Sequence, residues 1–242
     1  MQDNVAKERT MKTSRFIVAV LAFLMAGSAL ANGTIIQLSG TLSVKRADGS
    51  TRILSLKSEV IPGDTLETQK GSYAQIKFTD GATITLKPNT QFTVAAYSFV
   101  QAKPKEDKAV FALLKGGLRA VSGLISKRGD QDAYEMKTET ATIGIRGTIF
   151  DVDDCKTGLC KKEGAGSEAT HEAGVYVSVR DGEVRVANSA GALSIGAGQF
   201  GFIAANDVLP KLLPADPGLG SIPQSSLVET VTSGGVNKGI CD

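Results

Sequence analysis

The side chains able to do chemistry in this sequence are few and poorly grouped. Its 242 residues include one histidine and three cysteines, so a single residue could act as the base of a Ser-His or Cys-His pair. That residue, His171, lies in a polar, glycine-containing stretch, and the chain has no Gly-x-Ser-x-Gly elbow. We interpret His171 as an exposed loop residue. Because no pair of carboxylates is marked by its surroundings, the sequence predicts a non-enzyme without catalytic residues.

Cys155 and Cys160 are the next candidates, with four residues between them and glycine and charged residues around them. In an exported protein such a pair is typically oxidised, and we predict a disulfide that closes a small loop. Zinc binding is the alternative, but two thiols without a neighbouring histidine or a second pair make a poor ligand set. Cys241 is the odd cysteine, either unpaired or joined to another chain.

Asp151, Asp153 and Asp154 raise the alternative of a calcium site. The segment lacks the regular spacing of acidic residues, the glycine and the distal glutamate of a calcium-binding loop. We therefore interpret these three residues as surface acidity, and we predict no metal site and no cofactor.

The overall composition favours a folded protein that does not bind nucleic acid. Hydrophobic residues make up 42% of the chain, enough for a substantial core, and 27 basic residues face 25 acidic ones. A net charge of +2 without a basic block lacks the electrostatic footprint of DNA or RNA binding.

Residues 1–31 have the features of a secretory signal peptide. Two basic residues precede an unbroken apolar run over 16–25, and small residues follow it up to Ala31. That run is roughly half of the ~20 residues that a membrane-spanning helix needs. We predict cleavage after Ala31, no transmembrane anchor afterwards, and a periplasmic or secreted protein. Residues 1–10 are either an overcalled start or an extended polar region before the leader.

The rest of the chain has the pattern of short strands. Between residues 34 and 203, apolar and polar residues alternate in runs such as 74–78 and 175–179, and this period of two, rich in β-branched residues, is typical of strands with one buried face. Asp-Gly pairs, which suit tight hairpins, separate several runs. We predict an all-β fold of short antiparallel strands.

A partial internal repeat relates two of these strand-turn units. The run Gly-Thr-Leu-Ser-Val at 40–44 corresponds to Gly-Glu-Val-Arg-Val at 182–186, and another glycine follows at the same distance in both copies. Repeated units of this kind fit a β-sandwich and also a roll or solenoid-like arrangement. The sequence leaves both arrangements open.

The densest motif reads Thr-Glu-Thr-Ala-Thr-Ile-Gly-Ile-Arg-Gly-Thr-Ile-Phe, at 138–150. Together with stretches at 63–68, 78–90 and 114–119, it resembles the FecR domain family. The most specific residues of the match are Gly144, Arg146, Gly147, Thr148 and Phe150. The resemblance implies an all-β exported module, used in the regulator that names the family to relay an outer-membrane receptor signal to a cytoplasmic sigma factor.

This resemblance and the composition divide the chain into three segments. The signal peptide at 1–31 precedes a FecR-like β domain at 32–209, and a tail at 210–242 follows. The tail holds four of the seven prolines and several glycines, and proline removes a donor that a strand ladder needs.

The leading hypothesis is an exported, non-catalytic interaction module that binds an envelope protein through strand edges or loops, in signalling or envelope assembly. The alternative is a module that binds a cell-wall polysaccharide, which the low aromatic content of 5% and the lack of tryptophan weaken. Tyr73, Tyr97 and Phe99 are candidate contact aromatics and equally candidate core residues. Arg146 is either a structural residue at a sheet corner, which we favour, or a group that recognises a partner's carboxylate.

Overall fold

The computed structural model describes residues 32–128, 130, 132–155, 160, 171–219 and 222. The predicted leader at 1–31 and Cys241 lie outside the described residues. Within these ranges, no helix has the length and apolar character needed to cross a bilayer.

The described residues form fifteen strands and two short 3₁₀ helices, which confirms the predicted all-β fold. The first eight strands are β1 (Gly33–Ser39), β2 (Leu42–Lys45), β3 (Thr51–Leu54), β4 (Glu59–Val60), β5 (Thr65–Thr68), β6 (Tyr73–Phe78), β7 (Thr83–Leu86) and β8 (Gln91–Ser98). The other seven are β9 (Lys108–Val121), β10 (Tyr134–Lys137), β11 (Thr142–Asp154), β12 (Val175–Asn188), β13 (Gly191–Gly196), β14 (Phe200–Ile203) and β15 (Lys211–Leu213). The 3₁₀ helices span Pro104–Glu106 and Ile125–Lys127.

In strands with an alternating sequence pattern, every second side chain is buried. In β6, Ala74, Ile76 and Phe78 are buried while the residues between them lie nearer to solvent. The Asp-Gly pair that follows β6 makes the tight turn into β7, and Gly81 has a positive φ of 87°. Local patterning and turn chemistry therefore agree with the observed hairpin.

All fifteen described strands belong to one hydrogen-bonded sheet that has two branches. One branch has the order β15-β14-β12-β11-β9-β7-β6-β1-β4, and the other has β13-β12-β11-β10-β9-β8-β5-β2-β3. Strands β9 and β10 pair in parallel, and the other pairings are antiparallel. The long strands β9, β11 and β12 run through both branches, so they connect the two.

Each of the three long strands changes partners at a glycine with a positive φ. These glycines are Gly116 in β9 (82°), Gly147 in β11 (67°) and Gly182 in β12 (80°). The register of β11 against β12 also shifts between Arg146 and Ile149, which marks a β-bulge. The bends of β11 and β12 lie side by side, with Gly182 against Gly147, while Gly116 of β9 faces Asp154 farther along β11. These bends let the sheet fold over on itself, so the two branches become two layers.

The core fills the space between these two layers. Phe78, from the first branch, lies 5.0 Å from Phe111 of the second branch, measured between ring centroids. Phe92 and Tyr134 each lie 5.4 Å from Phe111 as well. All four rings are at most 2% exposed, so Phe111 is the centre of an aromatic cluster that holds the layers together.

The internal repeat corresponds to two hairpins at opposite ends of the second branch. The first copy forms β2 and leads into β3, and the second copy forms the later half of β12 and leads into β13. Strand β15 and the segment after it fall in the stretch that the sequence analysis assigned to the tail. The domain boundary at residue 209 stays a prediction.

Candidate functional site

The family motif lies on β11 where that strand bends. Phe150 is completely buried, and the Thr148 hydroxyl donates to the Glu183 carbonyl at 2.9 Å. The backbone N–H of Thr148 donates to the Ser122 hydroxyl at 2.7 Å. Arg146 is exposed and faces Glu183 in the register of β11 and β12. The motif therefore lies at the bend, and the structural role that we favour for Arg146 stays a prediction.

A row of charged side chains crosses the outer face of the first branch. We call Lys87, Arg119, Asp151, Asp153 and Arg180 the charged row. The register places Arg119 of β9 directly beside Asp151 of β11, and the neighbours of Asp151 along β11, at 150 and 152, point into the core. The alternation of β11 therefore fixes the side of the sheet on which the row lies.

Ion pairs connect the members of the charged row. Lys87 Nζ lies 2.8 Å from one carboxylate oxygen of Asp153 and 2.9 Å from the other. Asp151 accepts from Arg119 Nε at 3.0 Å on one oxygen and from Arg180 Nε at 2.9 Å on the other. The two carboxylates are thus held by three cations, one from β9, one from β12 and one from the residue that follows β7.

The three aspartates of this segment are buried, so their interpretation as surface acidity was wrong. Asp151, Asp153 and Asp154 are 6%, 7% and 3% exposed. Burial raises the pKa of Asp153 to about 6, although Lys87 acts in the opposite direction. Among the described residues, no group of three histidine, cysteine or acidic side chains is arranged to hold a metal ion.

A glycine makes room for the pair between Lys87 and Asp153. Gly117 faces Asp153 across β9 and β11, and a Cβ atom at this position would overlap the Asp153 carboxylate and touch the Lys87 chain. The Lys87 side chain extends over Gly117 of β9 and reaches Asp153 on β11. A small cleft of about 110 Å³ opens beside the pair, with Arg180, Tyr176 and the segment 216–219 along its walls.

The buried carboxyl of Asp153 leads to a prediction on pH dependence. Because its pKa is raised from 3.8 to about 6, the folded protein binds more protons there than the unfolded chain between these values, and the unfolding free energy falls as the pH rises through this window. Asp153→Asn removes this contribution. The wild-type minus variant difference in unfolding free energy is expected to drop by about 2.5 kcal/mol from pH 4 to pH 7. Urea titrations at several pH values measure it, and a flat difference would contradict the burial argument.

The structure contains the Cys155–Cys160 disulfide, with an S–S distance of 2.06 Å. His171 lies beside it: its backbone N–H donates to the Cys160 carbonyl at 3.1 Å, and its ring lies 5.5 Å from that of Tyr176. At 8% exposure, His171 is buried, so the interpretation as an exposed loop residue was wrong. The disulfide brings this stretch against Tyr176 and Phe202 in a small second cluster.

The three candidate contact aromatics have different environments. Tyr97 is a core residue, 7% exposed, whose hydroxyl donates to the Asp80 carboxylate at 2.9 Å. Burial raises the pKa of Tyr97. Tyr73 and Phe99 are half-buried, and the guanidinium of Arg128 lies 4.6 Å from the centre of the Phe99 ring. These rings are dispersed and do not form a common platform.

The open edge of β3 is the surface best suited to contact another chain. Strand β3 pairs with β2 on one side, and no described residue pairs with its other side. Ile53 on this strand is 69% exposed, the highest value among the large hydrophobic residues described. Strand edges in general were predicted as binding surfaces, but Ile53 was not among the predicted residues. The sequence did contain a signal for this strand, because a β-branched residue lies in the segment that follows the Asp-Gly turn at 48–49.

The hairpin geometry shows which backbone groups of β3 point outward. Arg46 N–H donates to the Ser50 carbonyl at 2.8 Å, which makes these two residues a hydrogen-bonded pair. Bonded and non-bonded pairs alternate along an antiparallel ladder, so Thr51 and Ile53 are in non-bonded positions. The N–H and C=O groups of both residues therefore point away from β2. An extended segment could pair with them without disturbing the hairpin.

A family model described as FecR protein matches residues 64–185, about half of the chain. No curated protein matches. Two crystal structures of a candidate anti-sigma factor from Parabacteroides distasonis ATCC 8503 match at 15% and 16% identity, each with a TM-score of 0.43 over 63% of this chain and 60% of that one. A structure described as a cell surface anchoring domain matches 25% of this chain and 80% of its own at 28% identity, with a TM-score of 0.25. The chain thus spans about 60% of the length of the first two structures.

Proposed function

This chain belongs to the FecR protein family, and from that premise we propose that it is an exported, non-catalytic module that binds another protein of the cell envelope. The binding surface is the open edge of β3. The role of this module is in signalling or envelope assembly.

The observation that carries this proposal is the exposure of Ile53 beside backbone groups of β3 that no described strand pairs with. An open edge offers main-chain hydrogen bonds to any extended segment, and the side chains beside it select the partner. Natural proteins usually protect such an edge with a charge, a proline or a covering loop. Strand β3 carries one such charge, Arg52, but the neighbouring outward position holds an apolar β-branched residue, Ile53, that is 69% exposed, which favours use of the edge for binding.

Export is supported by the sequence and by the cysteine chemistry. The basic and apolar run within 1–31 is typical of a secretory leader. The Cys155–Cys160 disulfide is of the kind that forms and persists in oxidising compartments. We place the protein in the periplasm or outside the cell.

A non-catalytic role is supported by the state of the charged row. Asp151 accepts from two arginines, and Asp153 is engaged by Lys87. Carboxylates that are held in this way stabilise the sheet and are poorly placed to move a proton to a substrate. Binding, rather than bond chemistry, is the activity that we assign to the molecule.

Retention of an envelope protein by the immobilised chain tests the proposal. Ile53→Lys keeps the backbone but places a charge at the edge, and it is expected to reduce retention of the partner about tenfold or more. Leu114→Lys is the matched control, because Leu114 is 51% exposed but lies on β9 inside the sheet. Ile53→Val retains the apolar edge and should bind like the wild type.

The bound fraction is measured by quantitative mass spectrometry after incubation with envelope extract, and in parallel with purified wall polymer. Thermal unfolding of each variant checks that the fold is intact. Equal retention by the wild type and Ile53→Lys would contradict the proposal. Retention of the polymer alone would replace it with the polysaccharide-binding alternative.

A further inference from the structure

The charged side chains on the two strands of the β2–β3 hairpin are all basic. Strand β2 reads Leu-Ser-Val-Lys and β3 reads Thr-Arg-Ile-Leu, so the two strands carry Lys45 and Arg52 and no acidic residue. Both basic side chains are exposed. The acidic residue at the hairpin tip, Asp48, accepts from the Ser50 N–H at 2.8 Å. An added strand would therefore meet a cationic edge.

The register places Arg52 between the two outward-pointing residues Thr51 and Ile53. On β2 it faces Val44, and on the open side of β3 no described strand occupies the position opposite to it. A strand that pairs with Thr51 and Ile53 must place one side chain directly opposite Arg52, about 5 Å away between Cβ atoms. An opposite charge at that position stabilises the pairing, and a like charge opposes it.

Acidic residues near Arg52 within the chain do not remove its preference for an opposite charge on the added strand. Asp64 is fully buried and pairs with Arg46 Nε at 3.3 Å. Burial raises the pKa of its carboxyl, while Arg46 and Arg52 lower it. Arg46 thus has an acidic partner within the chain, and no salt bridge to Arg52 or Lys45 is found among the described residues.

We infer that the β3 edge binds an extended acidic segment of its partner, with an apolar residue opposite Ile53 and a carboxylate opposite Arg52. The inference rests on the proposed function and adds the chemistry of the partner. The segment is one with alternating apolar and acidic residues, since successive side chains of a strand point to opposite faces.

A second copy of this chain fits the edge less well. If β3 pairs antiparallel with β3 of another copy so that Thr51 faces Ile53, the arginine at position 52 lies opposite the same arginine of the second copy. Like charges directly opposite each other destabilise a ladder. The register that uses both outward-pointing residues is thus disfavoured for self-pairing and favoured for an acidic partner.

Titration with two synthetic peptides tests the inference. The first is a short acetylated peptide of alternating valine and glutamate, and the second has lysine in place of each glutamate. With the full mature chain, the acidic peptide is expected to slow amide hydrogen exchange at Thr51 and Ile53. It should bind at least about tenfold more tightly than the basic peptide at low salt, with the difference shrinking as salt is added.

Two variants make the result specific to the edge. Arg52→Glu is expected to reverse the preference between the peptides, and Lys45→Glu should reduce it if Arg52→Glu does not fold. Equal binding of the two peptides at Thr51 and Ile53 would overturn the acidic preference while leaving strand addition supported. No protection by either peptide would overturn the inference together with strand addition at β3. Dimerisation through β3, detected by light scattering and abolished in Ile53→Lys, would overturn the acidic partner in favour of a second copy.

Discussion

Replacing Lys87 with methionine is expected to lower the unfolding free energy by about 3 to 5 kcal/mol at pH 8. The substitution leaves the Asp153 carboxylate buried without the ammonium that lies 2.8 Å away in the wild type. Both side chains are largely excluded from solvent, at 12% and 9% exposure. Removing one member of such a pair costs more than the pair contributes, because the remaining charge cannot be solvated.

The matched control for this prediction is a similar pair on the surface. Lys115 Nζ lies 2.9 Å from a Glu67 carboxylate oxygen, but these side chains are 38% and 40% exposed. Lys115→Met is expected to cost about 1 kcal/mol or less. The contrast between the two lysine variants isolates burial, since the substitution and the distance are nearly the same.

The pH dependence of the Lys87→Met loss identifies its cause. Without Lys87 the pKa of Asp153 rises further, so the carboxyl is protonated in the folded variant at pH 5 and the loss shrinks. Asp153→Leu combined with Lys87→Met should recover most of the stability, because the double variant buries no charge. Chemical denaturation at pH 5 and pH 8 measures these differences. An equal loss at both values would show that packing, and not charge, is responsible.

Gly182→Ala is the second substitution with a large expected effect. Gly182 has a φ of 80°, and an added Cβ would overlap the carbonyl oxygen of Gly147 and approach Thr148 Cα at 3.1 Å. The backbone of the Gly147 bend in β11 thus fills the space next to Gly182 in β12. Neither bend can move without disturbing both layers. We expect a loss of more than about 3 kcal/mol, from left-handed strain of about 1 to 2 kcal/mol and from backbone displacement.

Gly198→Ala separates these two contributions. Gly198 has a nearly identical φ of 77°, but no atom lies within 4 Å of the position of an added Cβ. Its substitution should therefore cost about 1 kcal/mol, the backbone strain alone. The melting temperatures and denaturant midpoints of the two variants are compared under the same conditions. Similar losses for Gly182→Ala and Gly198→Ala would mean that the contact between the two bends does not matter for stability.

The strands and their turns could be predicted from the chain because both are local properties. Alternation in runs such as β6 requires one buried face, and Asp-Gly pairs supply the positive φ of the hairpins. The pairing of Cys155 with Cys160 was predictable for a similar reason, because the two residues are close in sequence. The FecR motif added the family, since its residues stand together on β11.

The pairing partners of the strands were not predictable in this way. Strand β9 begins with a continuous apolar run at 109–114, and β11 and β12 alternate over most of their length. Neither pattern indicates that the partner changes at Gly116, Gly147 and Gly182. The change depends on contacts between distant segments, such as the close approach of Gly182 to Gly147. A glycine in a strand pattern signals a bulge or a close approach, without identifying the segment that approaches.

The chain by itself determined that this is a β-sheet protein of the FecR family with a short-range disulfide. The periodicity, the turn residues and the spacing of the two cysteines are local features that extend over only a few positions. Tertiary structure alone decided that Asp153 is buried beside Lys87, that His171 packs on Tyr176, and that one edge of β3 is left open by the described strands. Burial and edge exposure depend on which distant strands come together. That outcome is set by the packing of two layers around Phe111, to which every strand pattern contributes and which none of them specifies alone.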